Sequence, residues 1–230
     1  MPHPDLVLSP VPCRRPSVDL PAVIPAISPL EWQEAHHWTR RRRLEHLVRR
    51  RFAEEHGATI THLLPRLFGL WQGEWPQAAV GVRAAASGPL FQERYLDVSA
   101  EHLLTERFAQ PVDRHRVAEI GNLASRRPGL QCQLFLHLVD QLGHEGIGWL
   151  LFTATPEVAN AIRRLGLSLE PVMVADPTRL GDEQASWGRY YERQPWIMAG
   201  DLHRAHRQLS ERGLLPSRLC PAEVAHAHHA

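Results

Sequence analysis

The stretch from Arg116 to Gly166 constrains this chain most. It opens with an apolar run, Val117-Ala118-Glu119-Ile120-Gly121-Asn122-Leu123-Ala124, carrying one carboxylate and one amide in its middle. The basic turn Arg126-Arg127-Pro128-Gly129 follows. Beyond it, Leu130, Leu134, Leu138 and Leu142 form one helical stripe, widened by Phe135 and Val139. The apolar run Trp149–Ala154 reads as a strand covered on both faces, and so as a central one. Thr155-Pro156-Glu157 starts a second helix, with Val158, Ile162 and Leu165 on its buried face and Gly166 at its end. The order is strand, turn, helix, strand, helix.

The rest of the chain is arranged around this unit. Residues 1–29 are rich in proline and lack helical periodicity, which predicts a flexible leader. Ser28-Pro29-Leu30-Glu31 reads as a helix start, with Ser28 as the cap, and the helical pattern runs from Glu31 to Glu55 before Gly57 ends it. Ile60–Leu70 and Gln77–Arg83 read as strands split by a polar turn. Ser87-Gly88-Pro89 is a turn. A short apolar segment spans Leu90–Leu96, and a helix capped by Ser99 runs to Phe108. Leu167–Ala175 reads as a last strand pair or edge, interrupted by Pro171. Residues 176–201 hold turns and an aromatic cluster of Trp187, Tyr190, Tyr191 and Trp196. Leu202–Arg212 is a short helix ahead of a histidine-bearing tail. Elements mix without strict alternation, so the class is α+β. The division expected is a leader over 1–29, one main domain over 30–201, and a C-terminal helix with a disordered tail over 202–230.

Composition excludes several function classes. The net charge is +1, with no lysine in the 230 residues, so no global field points to nucleic acid. The run Arg40–Arg43 with Arg49–Arg51 admits nucleic acid, anionic lipid or an acidic carrier protein as partners, but a solvated helix face is the simpler reading. No apolar run reaches membrane-spanning length, and no secretory signal is evident. Cys13, Cys132 and Cys220 are odd in number and widely spaced, which suits a reducing compartment and no zinc site. The expectation is a cytoplasmic protein with no integral membrane association and no metal.

The residues that could carry chemistry cluster in the central unit. A carboxylate in mid-strand must be paired, protonated or turned to a cleft, because burying it alone costs several kcal/mol. Glu119 therefore reads either as the partner of an arginine such as Arg83 or Arg116, or as a general base with a raised pKa. Gly121 marks a bulge, close packing or a close backbone approach. Asn122 beside it could hold a carbonyl or a carboxylate. The turn Arg126-Arg127-Pro128-Gly129-Leu130-Gln131 opens a helix, so its free N–H groups and arginines suit an anion. No Gly-x-Ser-x-Gly elbow occurs, and Cys132 sits on a core-facing helix.

Several motifs in colinear order resemble the thermostable hemolysin family over roughly residues 45–201. They include Arg83-Ala84-Ala85-Ala86-Ser87-Gly88-Pro89-Leu90-Phe91, Arg94-Tyr95-Leu96-Asp97, Glu119-Ile120-Gly121-Asn122-Leu123-Ala124, Phe152-Thr153-Ala154-Thr155-Pro156, Arg163-Arg164-Leu165-Gly166-Leu167, Trp187-Gly188-Arg189-Tyr190-Tyr191 and Met198-Ala199-Gly200-Asp201. That family is similar in turn to the GNAT acyltransferases and to acyl-homoserine-lactone synthases. The resemblance implies a GNAT-like mixed, mostly antiparallel sheet flanked by helices. It also implies transfer of an acyl group, fatty in character, from a CoA or acyl-carrier-protein thioester to the amine of an amino-acid-like acceptor. Glu119 would be the base. Arg83, Gly121, Asn122, Leu123 and Ala124 would hold substrate, with the backbone of the last four polarising the thioester carbonyl. Arg126, Arg127, Gly129 and Gln131 would hold the donor phosphate. Tyr190 or Tyr191 could return a proton to the leaving thiolate. Gly121 and Asn122 stand where lactone synthases carry serine and arginine, so a different acceptor is implied. The family's name carries the alternative of a membrane-active protein or a non-catalytic ligand-binding one.

Overall fold

The computed structural model describes residues 29–216. One seven-stranded sheet carries the molecule, in the order β1-β2-β3-β4-β5-β7-β6. The strands are β1 (Glu31–Glu34), β2 (Arg66–Gln72), β3 (Trp75–Ala84), β4 (Val117–Ser125), β5 (Trp149–Ala154), β6 (Glu170–Val174) and β7 (Trp196–Asp201). Neighbours pair antiparallel except β4 with β5. The helices are α1 (Trp38–His56), α2 (Ala100–Phe108), α3 (Leu130–His144), α4 (Pro156–Arg164) and α5 (Leu202–Glu211).

Strand alternation sorts side chains to two faces. On one face Phe68, Val80, Ile120, Leu150 and Met198 pack under α3, whose whole leucine stripe is buried, and under Leu202 and Leu209 of α5. The helix placed outside the domain in sequence thus shares the main core. On the other face α1 buries Leu44, Leu47 and Val48 against Trp71, Ala79 and Ala124. Further along that face, Val117, Leu151 and Ile197 pack with Tyr95, Leu104 and Leu180.

Three expectations need correction. Residues 31–34 are a strand, not the start of α1. Trp32 points inward and stacks on Phe68 at 5.2 Å, while Glu31 and Gln33 face solvent, which is a period of two. The helix begins at Trp38, where the Nδ1 of His37 accepts the Thr39 N–H; Ser28 lies outside the described residues. Second, the strand drawn over Ile60–Leu70 exists only from Arg66. The Thr59 N–H goes to Ser186 O, the Leu64 N–H goes to Asn122 Oδ1, and Pro65 has no N–H to give. Third, β7 falls within residues read as turns, and it lies between β5 and β6. Its Ile197, Met198 and Ala199 are buried in succession, so it shows no alternation to distinguish it from a packed loop.

The arginines of α1 lie along a helix dense in carboxylates. Arg41 and Arg49 pair with Glu45, Arg50 and Arg51 with Glu54, and Arg40 with Glu74. Arg43 lies over the exposed Trp75 ring. Among the described residues, no helix is long and apolar enough to cross a membrane.

Candidate active site

β4 and β5 run parallel, yet they are in register only over Val117–Glu119 opposite Trp149–Leu151. Past Glu119 the strands part. β4 also carries a bulge, where one residue of β3, Val80, spans two of β4 between the pairs Ala79–Ala124 and Gly81–Gly121. Asn122 takes up the extra length at φ 51°, a left-handed value that asparagine tolerates better than most residues. Its Oδ1 accepts the Leu64 N–H at 2.8 Å, which ties the loop ahead of β2 to the bulge. The parting and the bulge together open a notch in the sheet. A pocket of about 800 Å³ fills it, reaching from Phe52 and His56 of α1 through to Gln131 of α3 and Val158 of α4.

Glu119 stands where the strands diverge. It is fully buried. Its Oε2 accepts the Gln92 N–H at 3.0 Å. Its Oε1 lies 3.5 Å from Arg83 Nε and has no hydrogen-bond partner among the described residues. Burial pushes the carboxyl above the usual range. The N–H groups of Phe91 and Gln92 and the Arg83 guanidinium pull the other way without cancelling that effect. Glu119 thus faces an arginine and also lines the pocket.

The segment from Pro177 to Arg193 roofs the pocket. It supplies Trp187, Tyr190 and Tyr191 to the lining, together with Glu183 and Arg193 at its rim. It is fastened to the end of α1 by the Arg189 N–H, which donates to His56 O at 2.7 Å. Gly188 sits at φ 54°, and a Cβ there would meet His56 O at 2.3 Å, so the approach needs glycine. Tyr190 is buried against Phe52 and His56. The hydroxyl of Tyr191 is hydrogen-bonded to that of Tyr95. Burial raises the pKa of all three phenols, so they hold their protons at neutral pH. Burial lowers that of His56, which is therefore neutral there.

Of the residues singled out in the sequence, Glu119, Arg83, Gly121, Asn122, Leu123, Gln131, Tyr190 and Tyr191 line this one pocket. Ala124 does not. The bulge switches the parity of β4, and Ala124 packs under α1 instead. Arg126 is tied to β3, with Nε donating to Pro76 O and its N–H to Gln77 O. Arg127 is exposed in the turn. Gly129, at φ 87°, is the N-cap of α3 and leaves the first turn without a side-chain cap. Sequence reasoning missed Gln92 and Thr153. The Thr153 hydroxyl donates to Gln92 Oε1 at 2.8 Å, which fixes the residue whose N–H holds Glu119. Thr153 is a polar residue in an apolar strand, the signal that marked Glu119, whereas Gln92 sits beside Glu93 and Arg94 and carries no such mark.

The arrangement provides a proton acceptor with a raised pKa and one open oxygen, buried phenols, an uncapped helix N-terminus and a pocket large enough for an extended ligand. A mostly antiparallel sheet, parted between its two central parallel strands and flanked by helices, is a GNAT-like fold. It is similar to FeeM, an N-acyl amino acid synthase from uncultured soil microbes, at 16% identity and a TM-score of 0.56 over 81% of this chain and 99% of that one. It is similar to the AHL synthase LasI at 13% identity and 0.56, over 84% and 100%. It is also similar to BjaI, a CoA-dependent acyl-homoserine lactone synthase solved with SAM and isopentyl-CoA, at 15% identity and 0.54, over 83% and 91%. At such identities the likeness establishes the fold alone. No curated protein sequence matches the chain at a significant level. Residues 34–206 match the thermostable hemolysin family, and the chain belongs to that family.

Proposed function

We propose that this protein is an N-acyltransferase, moving a fatty acyl group from a thioester donor to the amine of an amino-acid-like acceptor. The observation that carries the reading is Glu119, fully buried beside a cavity of about 800 Å³ with one carboxylate oxygen lacking a hydrogen-bond partner among the described residues. The similar folds of an N-acyl amino acid synthase and two acyl-homoserine-lactone synthases support the reaction class. The thioester donor is CoA or the phosphopantetheine of an acyl carrier protein, and the carrier would then be a protein partner.

The step balances as follows. The acceptor amine attacks the thioester carbonyl, forming the C–N bond, and Glu119 takes the proton the nitrogen sheds. Past Glu119, β4 has no partner on β5, so that strand edge is open to the carbonyl oxygen. The C–S bond then breaks. Tyr191, backed by Tyr95, passes a proton to the departing sulfur and regains one from the proton Glu119 took, so both groups end as they began. Tyr190 packs the roof above them. Arg83, Asn122 and Leu123 border the acceptor side, and the Gly121 backbone allows close approach. The uncapped first turn of α3, with Gln131 and the neighbouring Arg127, suits the donor phosphate. Arg126, bound to β3, would act by fixing that turn.

The test is thiol release from acyl-CoA and acyl-carrier-protein donors with pooled amino acids. Acceptor-dependent release that collapses in Glu119→Gln is expected. Release unchanged by the substitution would remove Glu119 as the base, and no acceptor-dependent release from any donor would overturn the reading.

A further inference from the structure

The geometry points to a divalent-metal site, formed by Asp140 and His144 of α3 with His206 of α5, taking a borderline ion of the zinc or cobalt type. One donor atom from each residue lies within 4.8 Å of the others. His144 Nδ1 is 3.3 Å and His206 Nε2 3.8 Å from the same oxygen, Asp140 Oδ1. The second separation is too long for a hydrogen bond. Both approach the spacing of two ligands on one small ion, given metal–ligand bonds of about 2.0–2.2 Å.

Two further observations mark the place as built. His206 Nε2 is buried and has no hydrogen-bond partner among the described residues, so a lone pair or an N–H is aimed at the carboxylate without being satisfied. The ring reaches that position because Gly143 leaves the surface of α3 bare, since a Cβ at residue 143 would meet His206 Cδ2 at 2.8 Å. His144 donates its Nδ1–H to the Asp140 carbonyl at 2.7 Å, so an ion would have to displace that proton and leave the ring as its Nε2–H tautomer. A carboxylate with two imidazoles suits zinc, cobalt or nickel better than calcium or magnesium. None of the three residues lines the active-site pocket. The ion would clip α5 to α3, and the inference stands apart from the proposed reaction.

The experiment uses chelator-stripped, tag-free full-length protein. Zinc(II) is titrated by calorimetry and cobalt(II) by its ligand-field absorption. The proteins compared are the wild type, His206→Gln, His144→Gln, and a triple variant in which His226, His228 and His229 of the tail become glutamine. One saturable site is expected, at least tenfold weaker in His206→Gln and in His144→Gln and unchanged in the tail variant. Zinc should raise the melting temperature of the wild type and leave that of His206→Gln unmoved. His144 is half-exposed, so its variant carries the test if the other fails to fold. Absence of saturable binding in the wild type, unchanged affinity in either single variant, or loss of binding with the tail histidines would overturn the site.

Discussion

Replacing Glu119 with glutamine should make the protein slower and, above mildly acidic pH, relatively more stable. Glutamine keeps an acceptor for the Gln92 N–H and removes the ionisation. In the unfolded chain the carboxyl titrates near 4.5, and in the folded protein burial holds its pKa above that. Between those two points the native state keeps a proton that the unfolded chain has released. Stability therefore falls as pH rises through that window, by about 1.4 kcal/mol for each unit separating the two values. The stability this group confers is fully present below pH 4.5 and is lost once pH passes the raised folded value. Subtracting the wild type's unfolding free energy from the variant's, by denaturant titration at pH 4.5 and again at pH 8, isolates this group from all others. The difference should move in the variant's favour between the two. In parallel, loss of a positioned base should lower turnover by about 100- to 10,000-fold. Wild-type turnover should fall on acidification with a midpoint above the ordinary carboxylate range. A stability difference independent of pH would refute the account of the buried carboxyl. Retained turnover would refute its role as the base.

Gly188→Ala would place a methyl 2.3 Å from the His56 carbonyl oxygen at a left-handed φ, and so should detach the roof. A loss of about 2–3 kcal/mol, or roughly 5–10 °C in melting temperature, should accompany weaker donor binding. Arg114 bonds to Glu93 and Glu101 and to the carbonyls of Ala85 and Gly88, thereby fixing the loop that presents the Gln92 N–H. Arg114→Ala should cost about 2–3 kcal/mol by chemical denaturation and slow turnover. Burial pushes the Glu93 carboxyl up, but Arg114 and the N–H groups of Ala100 and Leu90 outweigh it and hold the pKa at about 2. The stability Glu93 confers should therefore persist above pH 4.5 and fade between pH 4.5 and 2, and Arg114→Ala should blunt that acid transition. Asn122→Ala removes the acceptor of the Leu64 N–H and the tolerance for a positive φ, with an expected loss of about 1–2 kcal/mol seen as a lower denaturation midpoint.

Much of the site was legible because a strand interior resists polar residues. Glu119 and Asn122 broke an apolar run, and each proves to have a structural reason for its place: one faces the notch, the other makes the bulge. The leucine stripe of α3 followed from periodicity, and the doubly buried β5 from an unbroken apolar run. What stayed hidden depended on partners distant in sequence. Ile60–Pro65 is a loop because distant partners hold it, with the Leu64 N–H on Asn122 and the Thr59 N–H just ahead of it on Ser186. The bulge that turns Ala124 from the pocket to α1 is invisible without the register of β3 against β4. The tie of Arg126 Nε to the carbonyl of Pro76 on β3 was likewise invisible in the sequence.

The position of β7 bears on how the protein is made. Among the described residues β6 pairs with β7 alone, and β7 is the last strand. During synthesis, β5 and β6 leave the ribosome as neighbours in sequence but cannot join, because the strand that belongs between them is still to come. The half of the sheet beyond β5 should thus close in one late step, once residue 201 is free of the exit tunnel, and a chain arrested before Trp196 would display the bare edge of β5 to any other strand it meets.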